Sequence, residues 1–294
     1  MMTSCTTFRA YLFAQHHTTS TIKSYQFIIS KYLAEHPNAD TYNYREVFEY
    51  VKSYIFRFSQ RPNMALIQAA LKKYYDYLIH IGKLENHPCR GLFLKQRSKP
   101  LIHQDLFTFS ELERLLHRTE RYSMLKYRNK VLVSLLIYQG VTLNELIRIK
   151  MKHIDLDDES IMIKRTKTTN SRRLLLHHNQ IDFIEKYLKM RIMIHNTKPS
   201  IENDYLLLNK LGNPITTDDS QYIIETFKFL YPERKLSPQT IRQSVIANWI
   251  NEKHIPLEQV QLLAGHRWLS STQRYKQADI AKQVELINGF HPVF

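Results

Sequence analysis

Apolar residues recur every three or four positions through the first hundred residues, which is the spacing of one buried face of an α-helix. The pattern predicts helices over 18–34, 44–58 and 62–81. Pro62 suits a first helical turn, and Gly82 suits a helix end. The N-terminal part of the chain is therefore predicted to be a small helical bundle.

The helical pattern breaks at 96–105, where a proline and several polar residues indicate a linker. A new amphipathic helix is predicted to begin after Thr108 or Ser110, either of which can cap it, with Glu111 or Glu113 near its start. We therefore place a domain boundary near 100–104. It separates an N-terminal domain, 1–100, from a C-terminal domain, 101–294.

The C-terminal domain is predicted to be mostly helical with a small β element. Apolar runs at 160–163 and 173–176 flank a polar, basic segment, which indicates a hairpin, and 205–208 is predicted to form a third strand. Further helices are predicted over 218–229, 238–250, 257–263 and 279–287. The predicted fold class is mainly α with a small β-sheet.

Composition indicates a folded protein with an anionic partner. With 43% apolar and 12% aromatic residues, the 294-residue chain can bury a core, which excludes intrinsic disorder. It carries 42 Lys+Arg against 27 Asp+Glu, a net charge of +15. Residues 1–95 hold 12 of these bases and 6 of the acids, so both domains are basic. Such a charge favours nucleic acid as the partner.

The sequence also predicts a cytoplasmic protein without membrane contact. Two cysteines, Cys5 and Cys89, cannot form a disulfide framework, which favours a reducing compartment. The N-terminus lacks the apolar run of a signal peptide, and the longest apolar run, 131–138, is too short to span a bilayer. No metal-ligand spacing, glycine-rich phosphate loop or carboxylate cluster is evident, so neither a metal nor a cofactor is expected.

Metal-free cleavage of a phosphodiester needs a side-chain nucleophile and cationic groups around the phosphate. A tyrosine can conserve the bond energy as a phosphotyrosine, and an arginine offers a fork to two phosphate oxygens. A lysine can protonate the leaving oxygen, and a histidine can bind the phosphate or assist proton transfer. Within 237–275 the chain carries Arg242, His266 and Tyr275.

Five motifs follow one another in a fixed order along the chain. They read GVTLNEL at 140–146, KTTNSRR at 167–173, PQTIR at 238–242, LLAGH at 262–266 and TQRY at 272–275. Together they resemble the motifs of tyrosine recombinases, which include the phage-type integrases. The resemblance covers nearly the whole chain. It implies a helical, SAM-like core-binding domain at 1–100 and a mixed α/β catalytic domain at 101–294.

The resemblance also implies roles for particular residues. Tyr275 falls at the position of the nucleophile, Arg242 at the second arginine and His266 at the second histidine. Lys167 is the best match for the hairpin lysine, with Lys164 as the second choice. These residues would form the catalytic site.

Two positions depart from the family pattern. The family's first histidine is Gln239 here, which can still donate a hydrogen bond but cannot titrate. Its first arginine is Thr142, and losing such a charged donor costs about 10²–10³-fold in rate. Both residues are expected to line the site, with Glu145 beside them. Arg148, Lys150 and Arg173 are cations that could replace the missing arginine, and no sequence feature selects one of them.

Double-stranded DNA is the expected partner, bound by a homo-oligomer of two to four copies, as in the family. The residues expected to contact DNA bracket the site: Lys164, Arg172, Arg173, Arg267, Arg274 and Lys276. Apolar residues in 277–294 indicate a C-terminal helix that either docks on a neighbouring protomer or packs within its own chain.

Three functions are open on the sequence. The leading one is a site-specific recombinase or integrase of a mobile element that acts through a 3′-phosphotyrosyl intermediate. The second is a relaxase-like nickase of a conjugative element or plasmid. The third is a sequence-specific DNA-binding regulator that has lost catalysis along with the first arginine.

Overall fold

The chain folds as two compact units, 1–99 and 100–294. They are seen in a computed structural model that describes residues 2–57, 64–93, 106–118, 120, 123–197 and 204–276. The linker predicted at 96–105 and the C-terminal helix predicted at 279–287 lie outside these residues. The helices formed by these residues lack the combination of length and hydropathy that a membrane span requires.

In the described residues of the first unit, all regular structure is helical. Its helices are α1 (Met2–Ala14), α2 (Thr19–Glu35), α3 (Tyr44–Arg57) and α4 (Met64–His80), with a 3-10 turn at Ala39–Thr41. The three helices predicted from the apolar spacing are confirmed as α2, α3 and α4. Pro62, expected in the first turn of α4, lies outside the described residues.

Tyrosines fill much of the first unit's core. Tyr32 and Tyr75 are fully buried, and their hydroxyl groups lie 2.8 Å apart. The Tyr75 hydroxyl also donates to the carbonyl oxygen of Ala39 at 2.8 Å. Each buried hydroxyl thus has a hydrogen-bond partner, which a buried polar group requires.

The second unit combines short and long helices with one small sheet. It runs through α5 (Phe109–Arg114), α6 (Ser123–Tyr138), α7 (Leu143–Leu146), β1 (Ile154–Asp155), β2 (Ser160–Ile163), β3 (Arg172–Leu175), α8 (His178–Thr197), α9 (Thr217–Glu225), α10 (Pro238–Asn251), α11 (Leu257–Ala264) and α12 (Leu269–Gln273). The fold class predicted from the sequence, mainly α with a small sheet, is confirmed.

Helix α6 forms the centre of the second unit. Its residues 131–133 and 135–137 are all buried, and it packs against α8 and α10. A helix that is apolar on every side has to be enclosed by other elements. Helix α6 ends at Tyr138, and the carbonyl oxygen of Gly140, two residues later, belongs to the site described below.

The sheet is antiparallel in the order β1-β2-β3, with Ser160 opposite Leu175 and Ile163 opposite Arg172. The predicted hairpin is therefore confirmed, with its second strand beginning one residue earlier than expected. The third strand predicted at 205–208 is wrong. That segment pairs with 149–151, where Leu206 N donates to Ile149 O at 2.8 Å, and β1 takes the place beside β2.

Helix caps follow the sequence signals closely. Thr108 Oγ1 accepts a hydrogen bond from Glu111 N, and the Glu111 carboxylate accepts one from Thr108 N. This reciprocal pair is the capping box expected at the start of α5. The helix predicted over 218–229 ends earlier, at Glu225. Thr226 follows as its C-cap, and a separate 3-10 turn covers Lys228–Leu230.

Candidate active site

A cleft of about 520 Å³ in the second unit collects residues that lie far apart in the sequence. Its wall contains Thr142, Leu143, Gln221, Lys235, Ser237, Pro238, Gln239, Arg242, Gln243 and Tyr275. Four predicted site residues are therefore brought together: Thr142, Gln239, Arg242 and Tyr275. Lys235 is a cation in this wall that the sequence reasoning missed.

The start of α10 places Gln239 and Arg242 on one face of the cleft. Ser237 caps the helix through Thr240 N, and Pro238 occupies its first position, where no backbone N–H is needed. Residues three apart share a helix face, so Gln239 and Arg242 point the same way. Gln239 is exposed, whereas Arg242 is buried.

Backbone carbonyl groups hold the Arg242 guanidinium in place. Nη1 donates to the carbonyl oxygen of Gly140, and Nη2 donates to that of Ala264 at 2.7 Å. Burial lowers the pKa of Arg242, and the nearby Glu145 carboxylate opposes that shift. An arginine stays charged even so, because its ordinary pKa is far above neutrality.

Thr142 acts as the N-cap of α7 and is no source of positive charge. Its Oγ1 accepts from Glu145 N at 3.2 Å, while the Glu145 carboxylate accepts from Thr142 N at 2.8 Å. This reciprocal pair is a capping box. The residue at the position of the family's first arginine therefore fixes the start of a helix and the orientation of Glu145.

Glu145 lies behind the cleft, where its side chain is fully buried in an ion pair. Its Oε1 is 2.6 Å from Arg172 Nη1, and its Oε2 is 3.8 Å from Arg242 Nη1. Thr169 Oγ1 also donates to Oε1 at 2.7 Å. Burial raises the pKa of the Glu145 carboxyl, but the hydrogen bonds and charge of Arg172 outweigh it and hold that pKa below its usual range.

The turn between α11 and α12 carries His266. Gly265 ends α11 in the left-handed conformation, with φ 68°, and His266 Nδ1 lies 2.9 Å from Thr272 Oγ1. The His266 ring stacks on the Tyr275 ring, with centroids 6.2 Å apart and planes 16° from parallel. The structure thus brings the predicted histidine against the predicted nucleophile.

Burial shifts both groups toward their neutral forms. It raises the pKa of the Tyr275 hydroxyl, although the charges of Arg242 and Arg274 oppose the rise. It lowers the pKa of His266 to about 4, and the charges of Arg242 and Arg172 add to that fall. At neutral pH the site therefore holds a protonated tyrosine beside an uncharged imidazole.

The hairpin loop is fastened to the His266 turn. Asn170 N donates to Gly265 O at 2.9 Å, and Thr169 forms an isolated bridge with His266. Lys167 is exposed within the tight turn that Thr166 N closes on Thr169 O. Lys167 is therefore carried on a loop anchored beside the site and does not line the cleft itself. Lys164, the second choice, is exposed and faces a different pocket with Arg173.

The residues expected to contact DNA divide into two groups. Lys164, Arg173, Arg267, Arg274 and Lys276 are exposed. Arg172 is buried, with a side chain only 6% exposed, and it belongs to the ion pair with Glu145. Among the described residues no group of three histidine, cysteine or acidic side chains is placed to hold a metal ion.

None of the three cations considered as replacements for the missing arginine lies at the cleft. Arg148 is exposed, Lys150 is 3.7 Å from Asp204, and Arg173 contacts Asp155 and Asp158 at 3.2 and 2.8 Å. Arg172, which precedes Arg173 on β3, is buried instead. Successive residues of a strand face opposite sides of the sheet, so the sequence predicts that one of the two arginines faces the core, but it does not say which one.

The chain is similar in sequence to known proteins. The phage integrase family model matches residues 105–282. The tyrosine recombinase XerC of Staphylococcus carnosus is 25% identical over 278 residues, which cover 92% of this chain and 91% of that protein.

Two solved structures share the fold. The XerH site-specific recombinase bound to difH substrate has a TM-score of 0.71 and 19% identity, covering 90% of this chain and 79% of that one. A lambda integrase dimer bound to a COC′ core site has a TM-score of 0.65 and 14% identity, covering 92% and 93%.

Proposed function

Because the chain belongs to the phage integrase family, we propose that it is a site-specific tyrosine recombinase that cuts and rejoins double-stranded DNA. The observation that carries the proposal is the cleft in which Tyr275 and Arg242 meet, with His266 stacked on the tyrosine ring. A nucleophile, a phosphate-binding fork and a proton acceptor are the groups that metal-free strand cleavage needs.

In the proposed reaction Tyr275 Oη attacks a phosphorus atom of the DNA backbone. The bond from phosphorus to the 5′ oxygen breaks, and the 3′ phosphate becomes an ester of the tyrosine. Tyr275 must lose its proton as it attacks, because burial keeps the hydroxyl protonated beforehand. The imidazole of His266, which is uncharged at neutral pH and stacks on the Tyr275 ring, is the proposed acceptor of that proton.

The leaving 5′ oxygen requires a proton, and Lys167 is the proposed donor. It is carried on the hairpin loop, which Asn170 anchors to the His266 turn. Attack by the 5′ hydroxyl of a second strand on the phosphotyrosine then reverses the chemistry and restores Tyr275. Gln239 contributes a hydrogen bond at the mouth of the cleft.

Exposed lysine and arginine side chains around the site would bind the DNA backbone. Arg267, Arg274 and Lys276 flank His266 and Tyr275, and Lys164 and Arg173 lie on the hairpin side. Charge–charge contacts of this kind position a protein on duplex DNA without reading its sequence. In this proposal the helical first unit, which is also basic, is a second DNA-binding domain, and two to four copies assemble on the target.

The test is to trap the covalent intermediate. Duplexes are first selected from a random pool by binding to the full chain, and a nick is then placed near the bound site so that cleavage cannot reverse. We expect a protein–DNA adduct that survives denaturation and maps to Tyr275. Tyr275→Phe should abolish it, because the phenyl ring has no nucleophilic oxygen.

Tyr222→Phe is the matched control, since Tyr222 is a largely exposed tyrosine on α9. This variant should form the adduct as the wild type does. An adduct that persists in Tyr275→Phe would overturn the proposal. On a supercoiled plasmid that carries the selected site, nicked circles without exchange products would indicate the nickase. Binding without an adduct would indicate the regulator.

A further inference from the structure

The candidate site lacks an arginine at one position but holds a guanidinium nearby. Thr142, at the position of the family's first arginine, is engaged in capping α7. The Glu145 carboxylate, which accepts a hydrogen bond from Thr142 N, also binds Arg172 of β3. Arg172 Nη1 lies 2.6 Å from Glu145 Oε1, and Nη2 lies 3.3 Å from Oε2. A guanidinium from a different element of the fold therefore contacts the carboxylate beside Thr142.

The charge balance at the site depends on Arg172. Arg242 and Glu145 carry opposite unit charges, and His266 and Tyr275 are neutral at neutral pH. Without Arg172 the net charge of these four groups would be zero, and they would offer no net attraction to a phosphate. With Arg172 they sum to about +1, in a buried setting where electrostatic interactions are stronger than in water.

Arg172 also lies directly against the turn that carries His266. A Cβ added to Gly265 would collide with Arg172 Nη1, so the guanidinium occupies the space that glycine leaves open. Arg172 Nη1 lies 3.4 Å from the carbonyl oxygen of Asn170, whose N–H donates to Gly265 O. The side chain is thereby fixed next to the proposed phosphate-binding residues.

Two donors of this guanidinium are uncommitted within the described part of the chain. Nε is buried and has no hydrogen-bond partner there. Nη2 donates to Glu145 Oε2 and retains a second N–H. Nε and Nη2 form one edge of the planar guanidinium, and such an edge matches two oxygens of a phosphate.

We propose that Arg172 takes over the role of the first arginine, absent at Thr142, and neutralises the scissile phosphate together with Arg242. This inference rests on the proposed function. Lys235 is the competing cation, because it is exposed in the wall of the cleft.

The test compares cleavage of two nicked duplexes that differ only at the scissile position. One carries the natural phosphate, and the other carries a methylphosphonate, in which an uncharged methyl replaces a charged oxygen. On the phosphate we expect Arg172→Gln to slow cleavage at saturating enzyme by about 10²–10³-fold. On the methylphosphonate its rate should approach that of the wild type, because the charge to be neutralised is gone.

Further variants separate a catalytic role from a structural one. Arg148→Gln removes an exposed arginine near α7 and should leave both rates unchanged. If Arg172→Gln folds poorly, Arg172→Lys keeps the charge and can be compared on the same two duplexes. The double variant Thr142→Arg/Arg172→Gln should recover part of the lost rate, because it returns a guanidinium at the family's position.

Each outcome bears on one of the two proposals. Equal losses on both duplexes for Arg172→Gln and Arg172→Lys would show a structural role and overturn this inference. So would a methylphosphonate-suppressible loss in Lys235→Ala with none in Arg172→Gln. If the wild type forms no Tyr275 adduct on the natural phosphate, the proposed function fails, and the assignment of Arg172 fails with it.

Discussion

One buried carboxylate organises the charged residues of the candidate site. Glu145 accepts hydrogen bonds from Thr142, Thr169 and Arg172, and it lies within 3.8 Å of Arg242. A buried carboxylate without such partners would be very costly, so the residues around it are held in a fixed arrangement. The same arrangement keeps two guanidinium groups close together, which their mutual repulsion alone would oppose.

His266 gives a residue-scale prediction about pH and stability. Its pKa is about 4 in the folded chain and 6.5 ordinarily, so the unfolded state binds the proton more tightly. Stability should therefore be unaffected by this group above pH 6.5 and should fall as the pH drops toward 4. Urea unfolding at pH 7.5 and at pH 5 measures this effect. Between these two pH values, we expect the free energy of unfolding to fall less in His266→Asn than in the wild type.

An exposed histidine provides the comparison for that measurement. His117, in the 3-10 turn after α5, is exposed. His117→Asn should show the same difference between the two pH values as the wild type. If the unfolding free energy of His266→Asn changed between the two pH values by as much as that of the wild type, the folded state would not be suppressing protonation of this imidazole.

At the scale of elements, the site exists because a hairpin loop, a helix end and a turn meet. The loop between β2 and β3 is pinned to Gly265 by Asn170, and Arg172 passes beside the same glycine. Helices α10 and α11 supply Arg242 and the Ala264 carbonyl that holds it. Each contact joins segments far apart in sequence, so displacing any one element disturbs the others.

Gly265→Ala tests this convergence. A non-glycine residue at φ 68° is strained by about 1–3 kcal/mol, and the new Cβ would also collide with Arg172. We expect the free energy of unfolding to fall by more than the strain alone, and strand cleavage to fall with it. Denaturant unfolding and the adduct assay measure the two effects.

Gly82→Ala separates backbone strain from the collision. Gly82 also has a positive φ, 72°, but no atom lies within 4 Å of a Cβ built there. Its substitution should cost the strain only and leave cleavage unchanged. If Gly265→Ala were no more destabilising than Gly82→Ala and cleaved normally, the packing of Arg172 against this turn would be unimportant.

At the scale of the whole molecule, the chain is two separately packed and basic units. The first has a tyrosine-rich helical core, and the second is built around the buried helix α6. The net charge of +15 is shared between them, so electrostatic attraction to DNA is expected from both. Binding that relies on phosphate contacts releases counterions and therefore weakens with salt.

The salt dependence of DNA binding tests which lysine and arginine side chains contact the DNA phosphates. We expect the slope of log affinity against log salt to shrink by about 1 for each of Arg267, Arg274 and Lys276 changed to glutamine. The measurement is fluorescence anisotropy with the selected duplex at several salt concentrations. Lys189→Gln, on α8 and away from the cleft wall, should leave the slope unchanged. An unaltered slope in a variant with all three residues changed to glutamine would mean that the DNA binds elsewhere on the protein.

The sequence by itself determined the local features. Apolar spacing predicted α2, α3, α4, α10, α11 and the hairpin, because burial of one face follows from the periodicity of the backbone. The capping box at Thr108 could be predicted for a similar reason, since its partners lie three residues apart. The motifs containing Arg242, His266 and Tyr275 could also be recognised in the sequence, as could the absence of an arginine at Thr142.

Only the tertiary structure decided how those pieces are combined. Arg172 and Arg173 are adjacent and identical in chemistry, yet one pairs with buried Glu145 and the other with exposed Asp155 and Asp158. Segment 205–208 has the composition of a strand, but its partner is 149–151 and not the sheet. These choices depend on contacts between distant segments, which local periodicity does not encode. The structure therefore shows which arginine faces the carboxylate beside Thr142.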